Sequence, residues 1–393
     1  MNMNSTPSAS RTHIGFFGRR NAGKSSVVNA VTGQKLAVVS DVKGTTTDPV
    51  LKSMELLPMG PVVIIDTPGL DDEGALGEMR VQKARQMLNK VDIAVLVIDA
   101  AEGEREEDRA LEETLKEKSV PYIKIYNKCD LAPAPEGAMG VSAVTGEGVH
   151  ALKEKLASMK KADAEEACIV RDLLKPGDFV LLITPIDESA PKGRIILPQQ
   201  QTIRDILDAD AVALTVKEDR IAETIAHMGK KPALVITDSQ VFDIADAAVP
   251  GDIRLTSFSI LMARYKGLLD TAVRGIRAVE SLKDGDKVLI AEGCTHHRQC
   301  NDIGSVKFPN WLRKHTGKQI QIELCSGNEF PEDLTGYALV IHCGGCMLTE
   351  RAVKARMEIA EAQGVPMTNY GIAIAYMKGI LPRSIEIFPH LRG

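Results

Sequence analysis

Short apolar runs rich in β-branched residues recur along the whole chain, and a helical pattern follows nearly every one. Most of the runs are continuous rather than alternating, and Gly, Pro, Asp or Asn bound them. This combination is typical of strands buried on both faces of a parallel sheet in βαβ units. In the first segment, residues 12–162, the predicted strands are His13–Gly18, Val62–Asp66, Ile93–Asp99 and Tyr122–Asn127.

Two further segments, residues 166–275 and 276–393, repeat this pattern. We predict a single helix over Ile260–Gly275 near the end of the second segment. The opening of the third segment, Leu282–Val288, echoes Leu174–Val180, which hints at two related domains. The predicted strands are Phe179–Thr184, Ala211–Val216, Ala233–Thr237, Ile253–Thr256, Lys287–Ala291, Gln319–Leu324, Ala338–Ile341 and Pro366–Asn369.

The first strand leads into a glycine-rich phosphate-binding motif. Gly18-Arg-Arg-Asn-Ala-Gly23-Lys24-Ser25 matches the P-loop pattern and opens a helix, as that motif requires. Backbone N–H groups and the helix N-terminus would hold the phosphates, Lys24 would reach the β- and γ-phosphates, and Ser25 would bind Mg²⁺. The fold class is therefore α/β, with an N-terminal P-loop domain and two smaller parallel-sheet domains.

Three more motifs follow in the order expected of a GTPase. Asp66-Thr-Pro-Gly69 ends an apolar strand, Asn127-Lys128-Cys-Asp130 ends another with Asp130 placed to recognise guanine, and Ser142-Ala143 supplies a base-side loop. The predicted nucleotide-binding residues are Gly18, Asn21, Ala22, Gly23, Lys24, Ser25, Ser26, Thr46, Asp66, Gly69, Asn127, Lys128, Asp130, Ser142 and Ala143.

These motifs resemble the GTPase branch that includes MnmE and Era. The resemblance implies that Thr46, in Gly44-Thr-Thr-Thr-Asp48, is a Mg²⁺ ligand and that Asn21 binds K⁺. Leu70 stands where Ras-like proteins carry a catalytic glutamine, so we assign no catalytic residue and expect slow, potassium-stimulated GTP hydrolysis. The acidic, glycine-rich segment Leu70–Arg80 is predicted to be a second switch.

A second chemistry lies far downstream, in Cys294-Thr-His296 and His342-Cys343-Gly-Gly-Cys346. Both groups follow predicted strands, and the carboxyl ends of parallel strands meet at one edge, so we expect one metal site. Structural zinc, a redox dithiol and a [4Fe–4S] cluster all fit the residues. A cluster on Cys294, Cys343 and Cys346 would leave one iron without cysteine, and His296 or His342 could ligate that iron or tune it by hydrogen bonding.

Charge and composition exclude several other classes of protein. The formal net charge is −5, which argues against a nucleic-acid partner. Seven cysteines spread over 393 residues do not resemble a disulfide framework. No apolar run approaches a membrane span, and the polar residues 1–11 are predicted to be a disordered tail, so we expect a soluble, cytoplasmic protein.

The GTPase motifs and Cys-x-His…His-Cys-x-x-Cys together resemble the HydF family, the GTPases of [FeFe]-hydrogenase maturation. The resemblance implies a GTP-binding domain over 12–162, a dimerisation domain over 166–275 and an iron–sulfur domain over 276–393. It also implies self-association, a transient di-iron precursor, and partnership with radical-SAM maturases and apo-hydrogenase. Two other readings stay open: a ribosome- or tRNA-associated GTPase with a zinc domain, and a redox enzyme.

Overall fold

The computed structural model describes residues 8–34, 50–67, 87–162, 168–186, 195–293, 303–327 and 329–391. The chain forms two compact units, Met1–Glu165 and Glu166–Gly393. Predictions for residues 1–7 lie outside the described residues. Within the described ranges, no helix is long and apolar enough to cross a membrane.

The first unit is built on a six-stranded sheet with the order β2-β3-β1-β4-β5-β6. All neighbouring strands are parallel except β2, which pairs antiparallel with β3. The strands are β1 (Thr12–Phe17), β2 (Val50–Leu56), β3 (Gly60–Asp66), β4 (Ile93–Asp99), β5 (Tyr122–Asn127) and β6 (Met139–Gly140). The helices with fully described bounds are α1 (Lys24–Thr32), α2 (Glu106–Glu117) and α3 (Val149–Ala162).

The predicted α/β fold of this unit is confirmed, and the burial explains why its strands were recognisable. Every residue of β4 is buried, because helices cover both faces of a parallel sheet. Strand β2 was not predicted. It lies at the edge of the sheet, Leu51 is 51% exposed, and its polar residues interrupt the apolar run that marks a central strand.

The second unit contains two four-stranded parallel sheets with the orders β10-β9-β7-β8 and β12-β11-β13-β14. When the strands are numbered within each sheet and each sheet is read from the edge that holds its last strand, both orders are fourth, third, first, second. The echo between Leu174–Val180 and Leu282–Val288 thus marks a repeated topology. The strands are β7 (Phe179–Ile183), β8 (Val212–Val216), β9 (Leu234–Thr237), β10 (Leu255–Ser257), β11 (Lys287–Glu292), β12 (Gln321–Ser326), β13 (Leu339–His342) and β14 (Met367–Asn369).

The predicted single helix over Ile260–Gly275 is wrong. Two helices occupy this stretch, because Gly267 takes a left-handed backbone conformation (φ 72°) and turns the chain after Lys266. The helices of the second unit are α4 (Leu197–Asp208), α5 (Ile221–His227), α6 (Phe242–Ala248), α7 (Phe258–Tyr265), α8 (Leu269–Gly275), α9 (Phe308–Thr316), α10 (Glu350–Ala362), α11 (Tyr370–Met377) and α12 (Leu381–Ser384).

In the second unit, each sheet packs against a helix that belongs, in sequence, to the other half. Helix α8 follows the first sheet but packs on β14 of the second, where Thr368 Oγ1 donates to Ala272 O at 2.9 Å. Helix α12 follows the second sheet but packs on β10 of the first, where Arg383 Nη1 donates to Asp246 Oδ1 at 2.7 Å. One continuous apolar core results. The boundary at 275/276 between two domains therefore stays a prediction.

Candidate functional site

The phosphate-binding loop joins β1 to α1 in the first unit. Lys24 is buried, and its Nζ donates to the carbonyl oxygens of Gly18 at 3.0 Å and Arg19 at 2.8 Å. Gly18 has φ +145°, and a β carbon there would lie 2.2 Å from the carbonyl oxygen of Val97. Only glycine fits this close approach, which keeps the loop against the sheet. The loop carbonyls thus hold the lysine at the position where phosphate oxygens would compete for it.

Ser25, a predicted Mg²⁺ ligand, lies beside Asp66 at the end of β3. Ser25 Oγ donates to Asp66 Oδ2 at 2.7 Å, and Asp66 is 2% exposed. Burial raises the pKa of Asp66, while Ser25 and Lys24 oppose the rise. Asp66 Oδ1 is buried and has no hydrogen-bond partner among the described residues. A buried, half-satisfied carboxylate beside a hydroxyl fits a hard cation with oxygen ligands such as Mg²⁺.

The base-recognition loop is held by Asn127, the last residue of β5. Its Nδ2 donates to Ala22 O at 3.0 Å, and its Oδ1 accepts from the backbone N–H of Ala143 at 3.2 Å, so one side chain links the phosphate loop to the base-side loop. Ser142 Oγ donates to Asp130 Oδ1 at 2.6 Å and fixes that carboxylate. The predicted guanine-binding motifs therefore converge on one place.

Lys128 directly follows Asn127 in this loop and is anchored by Asp99, the last residue of β4. Its Nζ donates to Asp99 Oδ2 at 2.6 Å. Burial alone would raise the pKa of Asp99, but the hydrogen bonds from Lys128 and from the backbone of Ala101 bring it below its ordinary value. Asp99 thus stays ionised and anchors the lysine.

Arg19 is a structural residue of the phosphate loop that the sequence motif did not single out. Its side chain is 4% exposed, Nε donates to Asp108 Oδ2 at 2.9 Å, and Nη1 donates to Glu102 Oε2 at 2.8 Å. These contacts tie the loop to the start of α2. Its carboxylate partners lie more than 80 residues away in sequence, so no local pattern announced them.

Replacing Asp130 with Asn should exchange the specificity for the base. The carboxylate accepts from guanine donors, whereas an amide would leave one donor facing another, so D130N should bind GTP about a hundredfold more weakly and gain affinity for XTP. Isothermal titration of both nucleotides measures this. In S142A the acceptor remains but loses its support, and we expect about a tenfold loss. Equal GTP affinity in D130N and the unaltered protein would contradict the assignment.

The downstream site lies where β11 and β13 end side by side in the second unit, with Ala291 paired to His342. The Cys343 Sγ accepts from the backbone N–H of Gly293 at 3.0 Å and from that of Gly345 at 3.4 Å. Gly293 directly precedes Cys294 in sequence. Gly293, the last described residue before Cys294, is therefore in contact with Cys343, and the joined site with Cys294 stays a prediction.

His342 is fully buried and both of its ring nitrogens are engaged. Arg356 Nη1 lies 3.0 Å from Nε2, and Nδ1 lies 2.7 Å from Cys343 O. Since the carbonyl can only accept, Nδ1 carries the proton and Nε2 accepts from the guanidinium. Burial, with the charge of Arg356, lowers the pKa of His342 to about 3. In this arrangement His342 fixes the strand end and presents no ring nitrogen to a metal.

Cys343 and Cys346, the two described cysteines of the motif, have the properties of metal ligands that bind as thiolates. Burial raises the pKa of Cys343, and it raises that of Cys346 to about 11. Metal binding removes these protons and supplies the opposite charge. The two N–H groups aimed at Cys343 stabilise a sulfur that carries negative charge. Two soft, partly buried sulfur donors of this kind fit zinc or an iron–sulfur cluster.

Cys325 is the penultimate residue of β12, at the same edge of the sheet, where it pairs with Ala291. Burial raises the pKa of this thiol to about 11, so it behaves as a packed apolar side chain.

Several predicted residues lie outside the described residues: Thr46, Gly69, the segment Leu70–Arg80, Cys294 and His296. Within the described ranges, no group of three or more His, Cys, Asp and Glu is arranged to hold a metal ion. The assignments to these residues stay predictions.

Different family models match the unit with the nucleotide site and the unit with the thiol site. A model of the 50S ribosome-binding GTPase family matches residues 13–128. Models of the hydrogen maturase F dimerization and tetramerization domains match residues 169–267 and 270–387, and together they cover more than half of the chain.

Curated relatives match the first unit alone. The tRNA modification GTPase MnmE of Chromobacterium violaceum is 34% identical over 156 residues, which cover 37% of this chain and 34% of the relative. MnmE of a Synechococcus species is 38% identical over 152 residues, which cover 36% and 32%. The chain thus spans about a third of the length of these relatives.

Solved structures show more distant similarity. Aquifex aeolicus Era bound to GDP and AlF4⁻ is 21% identical with a TM-score of 0.34, and the match covers 55% of this chain and 98% of Era. The G domain of the Thermotoga maritima FeoB iron transporter is 25% identical with a TM-score of 0.30, and the match covers 38% and 98%.

The strand order, the P-loop and the base-recognition loop define the first unit as a P-loop GTPase domain. With the two maturase models matching nearly all of the second unit, the chain belongs to the hydrogen maturase F family. The names of those models indicate that it associates with itself. The predicted family and fold class are thereby confirmed.

Proposed function

We propose that this protein hydrolyses GTP and acts as an iron–sulfur scaffold in [FeFe]-hydrogenase maturation. In this proposal it carries a di-iron precursor from radical-SAM maturases to apo-hydrogenase in the cytoplasm. The contact of Cys343 Sγ with the backbone N–H of Gly293 supports the proposal, since Gly293 directly precedes Cys294 in sequence. The family supplies the biological setting.

In this proposal Cys294, Cys343 and Cys346 hold a [4Fe–4S] cluster. The cluster would supply an iron without a cysteine ligand, to which an external group can attach. The chain's own residues do the rest. Gly293 and Gly345 donate N–H groups to the Cys343 sulfur and stabilise its negative charge. His342 and Arg356 keep the end of β13 in place by their mutual hydrogen bond.

In this proposal, GTP binding and hydrolysis change the contacts between the protein and its partners, and they break or form no bond at the cluster. Lys24, Ser25 and Asp66 would change partners when GTP and Mg²⁺ arrive, because their present hydrogen bonds are to one another or to the loop itself. Rearrangement of this kind is how nucleotide switches alter the surfaces that partners bind.

Removing any predicted cluster thiol should abolish a normal cluster. After anaerobic reconstitution with iron and sulfide, the unaltered protein should show about four irons per chain and a reduced-state EPR signal that changes with added imidazole. C294A and C346A should lose most of both. C325A is the matched control, since it removes a buried thiol at the same edge and should leave iron content unchanged.

The same experiment separates the alternatives. Normal clusters in both C294A and C346A would refute the three-thiolate site. Stoichiometric zinc without iron would instead favour the GTPase with a zinc-bound structural domain. An EPR signal indifferent to external ligands would favour a redox enzyme.

GTP hydrolysis should be faster in potassium than in sodium buffer. Asn21 lies in the phosphate loop with a left-handed backbone (φ 59°), and we propose that its side chain ligates K⁺ beside the phosphates. A cation placed there stabilises the transition state, so we expect a stimulation on the order of tenfold or more. Steady-state phosphate release measures it, and N21A should lose the difference. Equal rates in the two buffers would contradict this assignment.

A further inference from the structure

One segment of the first unit, Asp99–Asp108, contacts both ends of the nucleotide site. It comprises the last residue of β4, the connection to α2 and the first turn of that helix. At the start of the segment, Lys128 Nζ donates to Asp99 Oδ2 at 2.6 Å, and the backbone N–H of Ala100 donates to Asn127 O at 2.8 Å. The start of the segment therefore holds the base-recognition loop.

The rest of the segment holds the phosphate loop through Arg19. The Nε atom of Arg19 donates to Asp108 Oδ2 at 2.9 Å. Its Nη1 donates to Glu102 Oε2 at 2.8 Å, and its Nη2 donates to Gly103 O at 2.9 Å. The side chains of Arg19 and Asp108 are 4% and 1% exposed, so salt and water screen this ion pair little. Three acceptors thus fix the guanidinium in position and in orientation.

Arg19 is connected in turn to the lysine that reaches the phosphates. The carbonyl oxygen of Arg19 accepts from Lys24 Nζ at 2.8 Å, and Gly18 O accepts from the same nitrogen at 3.0 Å. An ammonium group has three donors, so two carbonyls that hold two of them determine the direction of the third. The placement of the Lys24 ammonium therefore depends on where the backbone of Arg19 is held.

Hydrogen bonds within the segment join its two ends. Asp99 Oδ1 accepts from the backbone N–H of Ala101 at 2.9 Å, and Asp99 O accepts from that of Gly103 at 2.9 Å. Asp108 Oδ2 accepts from the backbone N–H of Arg105 at 3.1 Å as well as from Arg19. Each of the two carboxylates thus binds a side chain of the nucleotide site and the backbone of the segment at once. A network of this kind passes a displacement from one end to the other.

We propose that the segment Asp99–Asp108 couples the phosphate end of the nucleotide site to its base end. Arg19 and Lys128 are the positioning residues through which it acts. Arg19 acts on the phosphates through Lys24, and Lys128 ties the base-recognition loop to Asp99. Because one segment holds both loops, loss of its attachment at the phosphate end weakens recognition of the base.

The test measures the affinities for GTP and ITP by isothermal titration of the full-length protein with Mg²⁺ present. Inosine lacks the 2-amino group that Asp130 is placed to accept. The ratio of the GTP affinity to the ITP affinity therefore reports the base end of the site alone.

The variants are R19M, D99N and the double variant R19M/D99N, which together form a double-mutant cycle. R105M is the matched control. Arg105 Nη2 also binds Glu102 Oε2, at 3.0 Å, but the side chain of Arg105 is 56% exposed and belongs to the segment itself.

We expect R19M and D99N each to bind GTP about tenfold more weakly than the unaltered protein. Independent losses would multiply to about a hundredfold in the double variant, whereas coupling through one segment should hold the combined loss to about thirtyfold or less. R19M should also lower the ratio of GTP to ITP affinity by about threefold or more, although Arg19 lies at the phosphate end. R105M should stay within about twofold of the unaltered protein on both measures.

Two results would overturn the coupling: an unchanged ratio of GTP to ITP affinity in R19M, or a loss in the double variant equal to the product of the single losses. A loss in R105M equal to that in R19M would overturn the role of Arg19. General destabilisation lowers both affinities alike and leaves their ratio unchanged, so it counts against the proposal. If R19M does not fold, R19K takes its place, since lysine keeps the charge but cannot bond to all three acceptors of Arg19.

Discussion

The burial of parallel strands on both faces is the constraint on which the rest of this structure depends. Helices cover the sheets, so a polar side chain inside a strand would lose its hydration without a partner. Buried polar side chains are therefore concentrated at the strand ends. The last residues of β3, β4, β5, β9, β10, β13 and β14 are Asp66, Asp99, Asn127, Thr237, Ser257, His342 and Asn369, all of them buried. The nucleotide and thiol sites occupy such ends.

The second unit adds a further consequence of the same constraint. Each of its sheets has only four strands, and each borrows a helix from the other to cover its edge. Exchange of helices puts residues of the first half next to the strand ends of the second. Ser259 of α7, from the first half, consequently lies next to Gly344, between the two thiols Cys343 and Cys346 of the second half.

The fold class and the GTPase domain could be predicted because their signals are local. Continuous apolar runs mark buried strands, and the P-loop confines its chemistry to eight consecutive residues from Gly18 to Ser25. The break in the helix at Gly267 was missed because apolar periodicity continues across it. Edge strand β2 was missed for the opposite reason, since exposure allows polar residues along it.

The residues that support the two sites could not be predicted because their partners are distant in sequence. Arg19 is held by Asp108, 89 residues away, and Arg356 donates to His342, 14 residues away, so only the folded chain brings these pairs together. The same holds for the hydrogen bond to Cys343 from Gly293, 50 residues earlier. Sequence motifs identify the residues that bind the nucleotide or the metal. The residues that support them through hydrogen bonds become visible only when the topology of the fold is known.

The central claim is that the thiols at the shared end of β11 and β13 hold an iron–sulfur cluster. Anomalous X-ray scattering from crystals of the anaerobically reconstituted full-length protein tests it most directly. Data collected on either side of the iron absorption edge should show one compact iron peak within bonding distance of the sulfurs of Cys343 and Cys346. A peak at the zinc edge in that place, or iron bound elsewhere on the chain, would contradict the account.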